Sequence, residues 1–137
     1  MKTLDCTIKV RYSEAGRKGL AQHSAYYNWF DMAQDTLIQS FNMSYKDIED
    51  LGYSFVTLSE YCEYSCAAYY GDELTVRIKV EEVSTVRVMF SYEVIREKDS
   101  KLIATASSNH VFVDNNFRPH SLKKVLPSLY KRLEAML

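Results

Sequence analysis

The first residues alternate cleanly. Leu4, Cys6, Ile8 and Val10 fall on one side of an extended chain and Asp5, Thr7, Lys9 and Arg11 on the other, which predicts a strand with one dry face. A loop from about Ser13 to Gln22 follows, and there the period changes. Tyr26, Phe30, Ala33, Leu37 and Phe41 recur at helical spacing. They predict a helix from about Ser24, a residue type that caps helix N-termini, to about Phe41. Tyr27, Trp29 and Ile38 widen its apolar surface, and Asp31, Gln34 and Asp35 mark a wetter side. A helix this broadly apolar needs a large cover. Ser44 to Leu51 reads as a short second helix ended by Gly52.

Most of the remainder reads as strand. Val56, Leu58, Cys62, Tyr64, Cys66 and Ala68 share one face of a second strand. Tyr70-Gly71-Asp72 is a turn. The third strand turns Leu74, Val76, Ile78 and Val80 inward and Thr75, Arg77, Lys79 and Glu81 outward. Val86–Ile95 and Leu102–Val113 are the fourth and fifth strands, joined at Lys98-Asp99-Ser100. A loop from Asp114 to His120 leads to a short amphipathic helix from about Pro127 to Met136. One long helix followed by alternating strands predicts an α+β fold, with that helix packed on the inner face of a five-stranded antiparallel sheet. There is no linker, repeat or low-complexity segment, so residues 1–137 are expected to form one domain.

Composition narrows the function. The formal net charge is −1 with both signs spread along the chain, which leaves no basic face for nucleic acid. Cys6, Cys62 and Cys66 are odd in number and form no CxxC pair, and they read as small buried hydrophobes in a reducing cytoplasm. The N-terminus shows no secretory h-region, and no window has the apolar length of a membrane span. Three scattered histidines suggest no metal site, and no Gly-rich phosphate loop, Ser-His-Asp order or nucleophilic-cysteine signature is present.

The candidate chemistry lies where the first strand passes through a Gly-containing loop into the long helix. A helix N-terminus offers free backbone N–H groups and a partial positive charge, suited to an anion or a polarised carbonyl. Glu14, on that loop, is either a carboxylate for the reacting carbonyl or an ion-paired residue at a strand end. Glu60 interrupts an apolar face between Leu58 and Cys62. It either lines a pocket with perturbed proton affinity, or a bulge returns it to water. His23 is a base, a ligand-binding side chain or a loop histidine, and His110 reads as a satisfied structural histidine. Arg17 and Lys18 are placed to meet phosphates or to sit in solvent.

Three blocks resemble the hotdog-fold acyl-CoA thioesterases of the 4-hydroxybenzoyl-CoA thioesterase family. They are Arg11 to Phe30, the turn Tyr69-Tyr70-Gly71-Asp72-Glu73-Leu74-Thr75-Val76, and His110-Val111-Phe112-Val113-Asp114 closing the last strand. The resemblance implies thioester hydrolysis, with the carbonyl at the backbone N–H of His23. It also implies substrate contacts from Gly19, Tyr26, Trp29, Arg17 and Lys18, no cofactor, and a homodimer or homotetramer. The family's loop aspartate is replaced here by Gly16. The remaining candidates for catalysis are then His23, Glu14 and Glu60, the carboxylates ranked in that order. The missing aspartate keeps a second reading open, a protein that binds an acyl-CoA or acyl-carrier-protein thioester without hydrolysing it. A hotdog hydratase is a weaker third, since the loop lacks that family's Asp.

Overall fold

A computed structural model of the chain describes residues 2–137. Strand β1 (Thr3–Lys9) runs into two single 3-10 turns, Tyr12–Glu14 and Arg17–Gly19, and then into the long helix α1 (His23–Ser40). Helix α2 (Tyr45–Asp50) leads to β2 (Tyr53–Tyr64), β3 (Glu73–Val83), β4 (Arg87–Arg96) and β5 (Lys101–Asp114). Two short helices, α3 (Leu122–Val125) and α4 (Pro127–Glu134), close the chain. The five strands form one antiparallel sheet in the order β1-β3-β4-β5-β2. The sheet wraps α1, the hotdog architecture that the sequence implies. Among the described residues no helix is long and apolar enough to cross a membrane.

The core follows from the periodicities. Leu74, Val76, Ile78 and Val80 are fully buried, and β1 turns Cys6 and Ile8 inward, with Val10 just past its end also buried. From α1, Tyr26, Trp29, Phe30, Ala33, Leu37 and Ile38 fill the concave side of the sheet. Phe30 stacks on Tyr92 of β4 with centroids 4.5 Å apart. Burial of each such side chain contributes about 1.5–3 kcal/mol. Helix α2 is capped at its start, the Ser44 hydroxyl accepting from the Asp47 N–H and the Asp47 carboxylate from the Ser44 N–H.

Three details differ from the sequence reading. Helix α1 starts at His23, and the cap position belongs to Gln22, whose side chain makes no capping bond; Ser24 lies inside the first turn. The C-terminal helix is preceded by the separate turn α3, whose N-cap Ser121 accepts from the Lys124 N–H. The third difference is in β2, where the register against β5 slips between Thr57 and Ser59. The extra residue is Leu58, left 49% exposed. Before this bulge the inward positions are Tyr53, Phe55 and Thr57; after it they are Glu60, Cys62 and Tyr64. Val56 and Leu58 therefore do not share the face of Cys62, because one inserted residue inverts the alternation. Cys66 and Ala68 lie beyond the end of β2.

Candidate functional site

The loop before α1 is stitched to the segment that follows β2. Ala21 N–H donates to Ala68 O at 2.9 Å and Tyr70 N–H to Gly19 O at 2.8 Å. Lys18 and Gly19 take positive φ (59° and 74°), and the resulting tight turn lets Gly16 N–H donate to Leu20 O. The chain thus enters α1 at a fixed angle. Among the described residues no loop carbonyl accepts from the His23 or Ser24 N–H, and the Gln22 side chain does not cap them. These are free donors at the positive end of an 18-residue helix.

A depression of about 260 Å³ lies at this helix start, lined by His23, Tyr26, Tyr64 and Cys66 among others. The His23 ring stacks on Tyr64 at 4.2 Å and 16°, and Tyr26 meets Tyr64 edge-on at 4.9 Å. Tyr26 is otherwise buried, and burial together with Cys62 and Cys66 pushes its phenol up to about 12, so it stays protonated. Gly19 forms the turn beside this depression, with exposed Arg17 and Lys18 next to it. The structure brings His23, Tyr26, Gly19, Arg17 and Lys18 to one end of α1.

Glu14 and Trp29 lie elsewhere. Glu14 is only 6% exposed. Its Oε1 accepts from Arg11 N–H at 2.9 Å, and its Oε2 accepts from Trp29 Nε1–H at 2.9 Å and from the Arg11 guanidinium at 3.4 Å. Burial acts to raise the carboxyl pKa, but the bonds from Arg11 and Trp29 together outweigh it and hold the group below the usual range. The carboxylate faces a second depression, between β1 and α1, that shares no lining residue with the one at His23. Both oxygens of Glu14 are committed to tying the loop to the helix.

Glu60 is the opposite case. The bulge turns it inward, directly across from Ser108 of β5. Its Oε2 is buried with no hydrogen-bond partner among the described residues. Burial first, and the like charge of Asp31 on α1 second, raise its pKa. Burial raises the pKa of Asp31 as well, and burial first, with smaller contributions from Glu60 and Asp31, raises that of Tyr92. In the sequence Asp31 shows only as part of the wet side of the helix, with no signal that places it near Glu60. His110 is buried and neutral, its pKa lowered to about 4 by burial, as expected of a structural histidine. Among the described residues no group of three His, Cys, Asp or Glu side chains is placed to hold a metal ion.

Free backbone donors at the start of α1 suit an anion or a polarised carbonyl, and farther along the helix Glu60 holds a buried oxygen with no partner among the described residues. A family profile described as the thioesterase-like superfamily matches residues 14–133. The chain belongs to that superfamily. It is 31% identical over 121 residues to a putative esterase of Aquifex aeolicus, covering 88% of this chain and 93% of that protein. It is 25% identical over 128 residues to the putative acyl-CoA thioesterase YneP of Bacillus subtilis, covering 93% and 92% of the two chains. Among solved structures, a DHNA-CoA thioesterase from Staphylococcus aureus superposes with a TM-score of 0.93 at 26% identity, covering 98% of this chain and 91% of that one.

Proposed function

We propose that this protein hydrolyses an acyl-CoA thioester, holding the carbonyl oxygen at the His23 backbone N–H and activating water through Glu60. The observation that carries the reading is the buried, unpartnered oxygen of Glu60, beside Asp31, in a chain of the thioesterase-like superfamily. Asp31 lies ~12 Å along the helix axis from His23, and helical side chains lean back toward the N-terminus. A carbonyl held by the N–H, one attacking water and a carboxylate together span roughly 10 Å. A carboxylate whose burial and neighbour favour its protonated form is a better base near neutral pH than an ordinary glutamate. The oxyanion donors are backbone groups, so they do not depend on the His23 ring or on an aspartate at Gly16.

The relatives named for acyl-CoA and DHNA-CoA support a CoA-linked substrate. Arg17 and Lys18 stand where its phosphates would arrive, and Tyr26 and Tyr64 at the mouth of the acyl site. Strand β2 is a sheet edge bearing exposed Leu58 and Tyr61, which supports pairing with a second copy. One observation favours the alternative, thioester binding without turnover: Gly16 carries no carboxylate.

Release of free thiol from a panel of acyl-CoAs tests the reading. Turnover by the wild type, reduced ~10²–10⁴-fold in kcat by Glu60→Gln, is expected. Tight binding with no turnover replaces the enzyme by the binder, and full turnover in Glu60→Gln removes Glu60 from the mechanism.

A further inference from the structure

Behind Glu60 runs a chain of hydrogen bonds, buried in its middle and partly buried at its two ends, that the hydrolysis itself does not use. Tyr45 O–H donates to Gln34 Oε1 at 3.4 Å, and Gln34 Nε2–H donates to Tyr92 Oη at 2.7 Å. Tyr92 Oη and Ser108 Oγ are 2.6 Å apart, Ser108 Oγ and His110 Nε2 2.7 Å, and His110 Nδ1 and Thr57 Oγ1 3.2 Å. Each hydroxyl has one proton, so the first donor orients the rest. Tyr92 already accepts from Gln34 and directs its own proton to Ser108. Ser108 then donates to His110 Nε2, and the neutral imidazole donates from Nδ1 to Thr57. The relay therefore starts on α2, crosses α1, β4 and β5, and ends on β2.

Its end point is the residue immediately before the bulge. Thr57 pairs across from His110, Leu58 is the extra residue, and Glu60 pairs across from Ser108. Two successive inward positions of β5 thus flank the bulge. Without the bulge, the register that sets Thr57 across from His110 would carry forward, place Glu60 across from Ser107 and turn it out of the fold. We propose that this relay pins the bulge in place through Thr57, so that Thr57, His110 and Ser108 are positioning residues for the Glu60 carboxylate. The inference rests on the reading that Glu60 acts in hydrolysis only for its effect on rate; the placement of Glu60 is measurable without substrate. The groups that meet Glu60 are Asp31 from α1, Tyr92 from β4 and Ser108 across the pair on β5. Of these only Asp31 carries charge, so a change in the Glu60 environment reads as movement of its carboxyl rather than of a neighbouring ion pair.

The test compares Thr57→Val, which keeps the shape and removes the acceptor, with Thr57→Ser, which keeps the hydroxyl. The Glu60 carboxyl is followed by carbon-13 NMR of glutamate-labelled protein, with Glu60→Gln supplying the assignment, and turnover by thiol release. Thr57→Val is expected to move the Glu60 titration down toward the ordinary glutamate range and to lower kcat ~10- to ~100-fold with little change in KM. Thr57→Ser is expected to restore both. A folded Thr57→Val with the wild-type Glu60 titration overturns the inference. Should Thr57→Val not fold, nitrogen-15 shifts of His110 in the wild type decide. The Nδ1-protonated tautomer supports the relay, and the Nε2-protonated tautomer overturns it. A moved titration in a protein whose wild type hydrolyses no acyl-CoA supports the relay and sinks the hydrolase reading instead.

Discussion

Replacing Glu14 by glutamine separates a structural carboxylate from a catalytic one. The side chain is 6% exposed and each oxygen has a donor at 2.9 Å, the Arg11 backbone N–H on one and the Trp29 indole on the other. Glutamine keeps the size but presents an NH2 to one of these two N–H donors, so one bond is lost and a buried donor pair is left facing itself. Hydrogen bonds to a charged group contribute about 1.5–3 kcal/mol each, and an unsatisfied buried donor costs about 1–3 kcal/mol. Discounting for partial relaxation, Glu14→Gln should destabilise the fold by about 2–3 kcal/mol, a fall in Tm of roughly 6–12 °C for a chain of this length. The sign of the pH dependence follows from the lowered carboxyl pKa. The stabilisation is present above the ordinary glutamate value of 4.5 and is lost as pH falls through the folded-state value below it. Melting curves from pH 7 into acid should therefore show the wild type and Glu14→Gln converging as the wild type loses its advantage. A variant with wild-type Tm at pH 7 would refute the clamp. A folded variant whose kcat falls as far as that of Glu60→Gln would return Glu14 to the catalytic role.

Further outcomes follow from the same geometry. Because burial and Asp31 raise the pKa of Glu60, the ionised form carries a penalty that appears as pH rises through the folded-state value; Glu60→Gln should raise Tm at pH 7 while lowering kcat, read by calorimetry and thiol release. Asp31→Asn should move the acidic limb of kcat/KM to lower pH by removing the like charge, and an unmoved limb would show that Asp31 does not act on the base. A Cβ at Gly16 would meet Gln22 Cγ at 3.5 Å, an ordinary contact, so Gly16→Asp should fold and restore the family's loop carboxylate, raising turnover by up to ~10²-fold. Light scattering at micromolar concentration should give a dimer or tetramer, and a monomer would leave the β2 edge unexplained.

Much of the fold was legible because alternation and helical spacing are local. β1 and β3 bury the residues their patterns marked, and α1 differs from its sequence boundaries by one residue at each end. The bulge was not legible. One residue inserted at Leu58 leaves the composition of β2 unchanged and reverses which of its side chains meet the core, and only pairing with β5 decides between the two registers. Glu60 was marked by being out of place on an apolar face, a signal that survived because it lies on the same side of the bulge as Cys62. The role of Glu14 was hidden for another reason. Its partner Trp29 lies fifteen residues away, and no local pattern shows that an indole N–H turns back to the loop. Asp31 was visible as a polar residue, but a helix pattern does not say which strand its polar side faces.

The bond from Trp29 to Glu14 also makes the protein report on itself. The chain has a single tryptophan, so its ultraviolet-excited emission is dominated by one indole. That indole is anchored in the helix at its ring and tethered through its N–H to the loop that precedes the free helix donors. Indole emission responds to the charge and polarity of whatever its N–H touches. An acyl-CoA that reshapes the loop, or acid that neutralises the carboxylate, changes the colour or yield of that emission. Ligand arrival and loop rearrangement can thus be followed in stopped flow on the unlabelled, unmodified chain.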